Sequence, residues 1–198
     1  MPTILYSPAS PYSAKVRMAA AQAGIACDAV VVDTNADPDL LLKNNPLGKI
    51  PVLVPDDGPA IYDSRAITQY LNRQSGSALF PRNPAKRTEA EPLETGTANT
   101  PPKKVCLFAS LHYWIEEKIH QPWVDRQWSK AERALDHLVA NTPKLPAKIN
   151  AGHIALRATL GYMTLRFGGK WEKGRSKLTR WAKKFDEKFP ELAELLPK

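Results

Sequence analysis

Apolar positions recur along this chain at two different spacings, and the change from one to the other divides it. Thr3–Tyr6 (TILY) is a short apolar run ended by Pro8 and Pro11, which reads as a strand. A helix is expected from about Pro11 or Tyr12 to Ala23, with Pro11 suited to its first turn and Gly24 as its stop. Residues 29–33 (AVVVD), β-branched and bounded by polar residues, read as a second strand. The link between these strands carries a helix, so they are expected to lie parallel through a right-handed crossover. A short helix around 39–43 leads into Asn45-Pro46-Leu47-Gly48, a turn signal. Val52–Val54 and residues 60–62 flank Asp56-Asp57-Gly58 as an antiparallel hairpin, and Ser64 caps a helix to about Arg73.

Beyond residue 85 the spacing lengthens to three and four. Val124, Trp128, Ala131, Leu135 and Leu138 mark an amphipathic helix that begins near Pro122. Residues 150–167 are apolar nearly all round and predict a central, buried helix. Residues 174–188 predict a third, amphipathic one. The exception is 91–104, where Pro92, Gly96, Pro101 and Pro102 oppose a continuous helix and predict a loop or disordered segment. The pattern therefore predicts a β-α-β-α-β-β-α domain over residues 1–82 and an all-helical domain over 86–198.

With 198 residues, 43% apolar and 24% charged, the chain matches an ordinary soluble protein able to bury one or two cores. No apolar run approaches the roughly 18–20 residues of a membrane span. The N-terminus lacks a basic head followed by a long apolar stretch, so a cytoplasmic location is expected. Cys27 and Cys106 are the only cysteines and form no CxxC pair, against both a disulfide scaffold and a structural zinc site. His112, His120, His137 and His153 show no metal-ligand spacing, and no metal is expected. The net charge of +8 raises nucleic acid as a partner. Much of the excess, however, falls on Lys170, Lys173, Arg175, Lys177, Arg180, Lys183, Lys184 and Lys188. Asp186 and Glu187 interrupt that run and Trp171, Trp181, Phe185 and Phe189 mark its buried side, which reads as a solvated helix face. Without interleaved exposed aromatics or a nucleic-acid motif, nucleic acid is not expected; steering of anionic substrates is a second use for such charge.

Two of the predicted helices begin with small hydroxyl residues, Ser10 and Ser64, where unpaired N–H groups and the helix dipole favour an anion. Two such ends in one compact unit predict a pocket for a small, multiply charged ligand.

Three segments, in this order and spacing, resemble the glutathione transferase family. They are Ser-Pro-Tyr-Ser at 10–13 with Lys15-Val16-Arg17, then Lys49-Ile50-Pro51-Val52-Leu53, then Asp63-Ser64-Arg65-Ala66-Ile67. The resemblance covers residues 3–82 strongly and 120–196 less so, and implies an α/β plus all-α fold: a thioredoxin-like N-terminal domain followed by a helical bundle. It implies that Pro51 follows a cis peptide bond and that the Ile50 main chain pairs with a peptide ligand, the cysteinyl unit of glutathione. A plain strand-edge proline is the competing reading. A carboxylate at Asp63 suits an ammonium group, and the Ser64 hydroxyl with the following N–H groups suits a carboxylate. Together they fit the γ-glutamyl end of glutathione, although both residues also serve as plain helix caps. Lys49 offers a further cationic contact or is simply solvated.

Redox members of this fold carry a C-P-Y-C arrangement where this chain has Ser10 and Ser13. Serine cannot act as the redox nucleophile, so dithiol exchange at this motif is excluded. A hydroxyl at Ser10 can instead donate to a bound thiolate and lower the thiol's pKa, as serine-type members do. Ser7 and Ser13 are runners-up, Tyr6 a weaker one, and a plain N-cap is the competing reading for Ser10. The resemblance implies a small electrophile as second substrate, met by the helices within 86–118, where Phe108, His112, Tyr113 and Trp114 are candidate lining residues. It also implies a homodimer. Family members open the buried helix with a Ser/Thr-x-x-Asp capping box. Here Asn150 caps, while His153 is expected to fail as the reciprocal partner, so that His153→Asp should raise the melting midpoint. The function expected is glutathione conjugation to an electrophile; the alternative is a non-catalytic relative used for binding or regulation.

Overall fold

The computed structural model describes residues 1–99 and 120–198. Its first half runs β1 (Thr3–Tyr6), α1 (Pro11–Gln22), β2 (Asp28–Val31), α2 (Asp39–Asn44), β3 (Val52–Val54), β4 (Ile61–Tyr62) and α3 (Ser64–Gln74). The strands form one sheet in the order β2-β1-β3-β4. β1 and β2 are parallel across the α1 crossover, and β3 is antiparallel to both β1 and β4. This is the thioredoxin-like arrangement predicted, with β2 at 28–31 rather than 29–33.

The helical half comprises α4 (Pro84–Asn99), α5 (Gln121–Ala140), α6 (Ala151–Phe167), α7 (Ser176–Lys188) and a short α8 (Pro190–Ala193). The α6 helix is enclosed over residues 151–163, including Arg157, whose guanidinium meets Asp186 on α7 at 2.6 and 2.7 Å. One apolar core runs from Ile4, Met18 and Leu71 beneath the sheet into Leu135, Ile154, Trp171 and Phe185 among the helices. A smaller cluster, Leu5, Val32, Leu41 and Val52, fills the sheet's other face under α2.

Three expectations are corrected here. Residues 91–99 are helical, since α4 continues through Pro92. Pro92 is exposed while Ala90 and Glu94 are buried, so the ring sits on the solvent side and the opposite face packs on α6. A Cβ at Gly152 would lie 2.9 Å from the Ala90 carbonyl oxygen, so glycine there permits a backbone approach whose burial outweighs proline's local penalty of about 3 kcal/mol. The remainder of the expected loop, 100–104, lies outside the described residues, as do Cys106, Phe108, His112, Tyr113 and Trp114.

The second correction concerns α3, whose N-cap is Asp63 rather than Ser64. The Asp63 carboxylate accepts from the Arg65 N–H at 2.8 Å, and Ser64 is the first helical residue.

The third is His153. Its Nδ1 accepts from the Asn150 N–H at 3.2 Å while Asn150 Oδ1 accepts from the N–H groups of Gly152 and His153, so the capping box is complete. On the ring's far side, Nε2–H donates to the Lys144 carbonyl at 2.9 Å, and the ring stacks on Trp181. Burial pushes this imidazole below its ordinary pKa, against the opposing pull of the Lys144 carbonyl, and so favours the neutral form. An imidazole in this tautomer replaces the carboxylate because Lys144 fixes which nitrogen carries the proton. Nδ1 also lies 2.8 Å from Asn150 Oδ1, a separation at which a ring carrying a second proton would donate to that oxygen.

Candidate functional site

Strand register decides where the candidate residues emerge. Leu5 pairs with Val52, and Val52 in turn with Tyr62. Because β3 opposes both neighbours, the ends of β1 and β4 and the start of β3 lie together at one end of the sheet's strands. The loop carrying Ser10, the Ile50-Pro51 peptide and the Asp63-Ser64 pair therefore come out together. The N-termini of α1 and α3, the positive ends of their dipoles, open at the same end of the sheet.

Ser10 is the N-cap of α1, and its Oγ accepts from the Ser13 N–H at 3.2 Å. A serine hydroxyl has one donor and two acceptor positions, so capping leaves the O–H proton for another partner. Ser10 is half-buried, and its own N–H is held by the Ser7 carbonyl at 3.1 Å. Ser13 is fully enclosed, its Oγ accepting from Ser7 N–H at 3.4 Å, and so is placed to brace the loop rather than meet a ligand. The Tyr6 ring is covered by the Arg17 guanidinium, 4.3 Å from its centroid.

The peptide between Ile50 and Pro51 is cis. Pro51 is buried, Ile50 half-buried and Lys49 exposed. A residue that sequence reasoning treated only as part of a turn holds this segment. Asn45, 2% exposed, donates to the Lys49 carbonyl at 2.7 Å and accepts from the Leu47 N–H at 3.1 Å. Neither main-chain group of Ile50 is engaged by another among the described residues.

Asp63 is exposed with φ of 70°, a left-handed conformation that costs a non-glycine residue of order 1 kcal/mol. Ser64 is buried, and its carbonyl accepts from the enclosed Thr68 hydroxyl at 2.7 Å. This bond ties the strained corner to the body of α3.

Beside that corner lies a network that sequence reasoning missed. The Lys15 ammonium meets Glu94 at 2.6 Å with both side chains 2% exposed, and the half-exposed Arg65 approaches the other Glu94 oxygen at 3.4 Å. Burial pushes the Lys15 pKa below its ordinary value, with Glu94 opposing the shift. The pair joins α1 to α4 next to the Asp63 corner. Its one sequence signal was a lysine on the apolar face of α1, flanked by Ala14, Val16, Met18 and Ala19.

The C-terminal end reaches the site as well, the Lys198 N–H donating to the Pro8 carbonyl at 3.3 Å. Cys27, the free thiol among the described residues, lies at the far end of α1 with its pKa raised by burial. Among the described residues no group of three or more His, Cys, Asp or Glu side chains is placed to hold a metal, and no helix is long and apolar enough to cross a membrane.

Residues 5–79 match the glutathione S-transferase N-terminal domain. A protein of Aplysia californica named as a probable glutathione transferase is 35% identical over 80 residues, which is 40% of this chain and 80% of that one. The GST-like protein YibF of Escherichia coli is 26% identical over 163 residues, 79% of each chain. Among solved structures, a glutathione S-transferase of Methylobacillus flagellatus with glutathione bound superposes with a TM-score of 0.89 at 28% identity, covering 100% of both chains.

Proposed function

The chain belongs to the glutathione S-transferase family, and from that premise we propose that it conjugates the glutathione thiolate to a small hydrophobic electrophile, with Ser10 stabilising the thiolate. The observation that carries this reading is the Ser10 hydroxyl. One of its lone pairs is spent on the α1 N-terminus and its proton is left to donate, at the end of the sheet where the Ile50 main chain and the Asp63 corner also emerge.

Glutathione docks with its cysteinyl unit along Ile50, beside Pro51. Its γ-glutamyl ammonium meets the Asp63 carboxylate, and its γ-glutamyl carboxylate meets Ser64 and the first N–H groups of α3. Lys49 adds a cation for the remaining carboxylate. The Ser10 O–H donates to sulfur, and the positive end of the α1 dipole acts in the same sense, so the bound thiol releases its proton to solvent more readily. The thiolate then attacks the electrophilic carbon, a C–S bond forms, and the leaving group departs with the electron pair of the broken bond. The acting species is a cytoplasmic homodimer that needs no metal.

Titration of the bound thiol by its thiolate absorbance tests the reading. The thiol pKa should fall on binding, and Ser10→Ala should return it toward the free value. Turnover of a general aromatic electrophile should drop about 100-fold, the effect of removing one donor to a developing anion, with affinity for glutathione largely kept. Unchanged turnover removes Ser10 from the role. Retention on immobilised glutathione with no turnover by the unsubstituted protein would favour the non-catalytic binding reading.

A further inference from the structure

The basic excess has a definite address. Residues 120–198 carry 16 Lys and Arg against 8 Asp and Glu, so that segment holds the whole net charge of +8. On α7, Lys177, Arg180, Lys184 and Lys188 recur at spacings of three, four and four, and all four are exposed. They therefore share one face, in a row about 16 Å long. Of the acidic residues of α7, Asp186 holds Arg157 on the inner side, while Glu187, exposed and 3.9 Å from Lys183, interrupts the basic face. Among the described residues none of the four cations has a carboxylate within ion-pair distance.

The row borders a groove. Where α7 faces the segment after α5, a cleft of about 550 Å³ is walled by Pro143, Leu145 and Trp181 and rimmed by Lys184, Glu187 and Lys188. A second, of about 250 Å³, shares Trp181 and Lys184 with it and reaches Arg180 and Lys177. Lys144, between the wall residues Pro143 and Leu145 in the chain, is exposed.

We infer that this groove docks an extended acidic peptide segment of a partner protein, its alternate carboxylates facing the α7 cations and its intervening side chains facing Pro143 and Leu145. The spacing fits. Cations three or four residues apart on a helix rise about 4.5–6 Å, and alternate side chains of an extended chain lie about 6.6–6.8 Å apart, a difference that flexible lysine stems absorb. A single-stranded nucleic acid fits less well, since it binds by stacking bases on exposed aromatic rings, and Trp181, the ring in this groove, is 5% exposed.

The test is fluorescence anisotropy with a fluorescein-labelled peptide of four Glu-Val repeats and the full chain. The peptide should bind, more weakly as salt rises, and a four-repeat Lys-Val peptide should not. The double substitution Lys184→Glu with Lys188→Glu should weaken binding at least tenfold, while Lys43→Glu on α2 should change it less than twofold. Glutathione-dependent turnover should be the same in all three proteins, which separates this groove from the glutathione site, while the thermal midpoint of the double variant should fall slightly, since Lys188 caps the last turn of α7 and donates to the Leu145 carbonyl at 3.5 Å. Equal loss with Lys43→Glu, no binding of the acidic peptide, or tighter binding of a 12-residue thymidine oligonucleotide would overturn the inference.

Discussion

Replacing Glu94 by Gln leaves the Lys15 ammonium facing an amide in an enclosed site, and the structure gives the scale of the effect. At an effective dielectric near 20, unit charges 2.6 Å apart attract by about 6 kcal/mol. Lys15 can escape part of that loss by shedding its proton, which at pH 7 requires at most about 4.6 kcal/mol from an ordinary pKa near 10.4. The expected loss is thus about 3–5 kcal/mol, the range found when one partner of a buried pair is removed. For a chain of this size that is a fall of roughly 10 °C in midpoint. The pH dependence carries the sign. With Glu94 gone, the folded-state Lys15 pKa drops further below its unfolded value. The unfolded state then binds more protons across that interval, and stability rises with pH toward about 10.4. The deficit, measured by calorimetry, should therefore shrink between pH 7 and pH 9.5. Lys15→Met with Glu94→Leu should restore most of the stability, because no unpaired charge remains. Arg65→Gln should cost under about 1 kcal/mol, since that guanidinium is half in water. A Glu94→Gln deficit below about 1 kcal/mol, or one unchanged with pH, would refute the argument.

Other expectations follow from single contacts. His153→Asp retains an acceptor for the Asn150 N–H but loses the donor to the Lys144 carbonyl and the stacking on Trp181, so the midpoint should fall by about 1–3 kcal/mol equivalent; a rise would restore the sequence-based expectation. Because the folded-state pKa of His153 is depressed, its contribution is fully present above about pH 6.5 and is lost as pH falls, and chemical denaturation at pH 7 and pH 5 should show a pH-dependent loss that His153→Gln reduces. Gly152→Ala would push a methyl to within 2.9 Å of the Ala90 carbonyl and 3.0 Å of Leu93, so α4 and α6 must part and stability should fall by about 1–3 kcal/mol, measured by urea unfolding; a neutral result would mean that the helices are not held at this spacing.

The capping and charge features differ in how readily the sequence discloses them. Pro11, Ser10 and Gly24 bound α1 because caps and stops act through neighbouring backbone groups, and the same holds for the hairpin at Asp56-Asp57-Gly58. At 91–99 local propensity, dominated by Pro92, opposes a helix that persists through burial against α6. His153 is illegible in the sequence for a related reason. Whether an imidazole can accept the cap's N–H depends on the proton on its other nitrogen, and that is settled by Lys144, a residue from outside the helix. Asn45 and Glu94 gave no legible sign of their roles, since a buried amide or carboxylate is recognised by its partners and these come from distant segments.

The amino-acid order alone determined the strands and helices of residues 1–82, the parallel β1–β2 pair, the β3–β4 hairpin, and the three short segments by which the chain resembles the glutathione S-transferases. Each of those depends on contacts within a turn or two of chain, or on a residue pattern readable in line. Only the packed molecule decided that Lys15 has an anionic partner, that α4 runs on past a proline, and that Ser10, Ile50 and Asp63 open at one end of the sheet. Such outcomes rest on desolvation and on strand register, and both exist only once remote parts of the chain exclude water from one another.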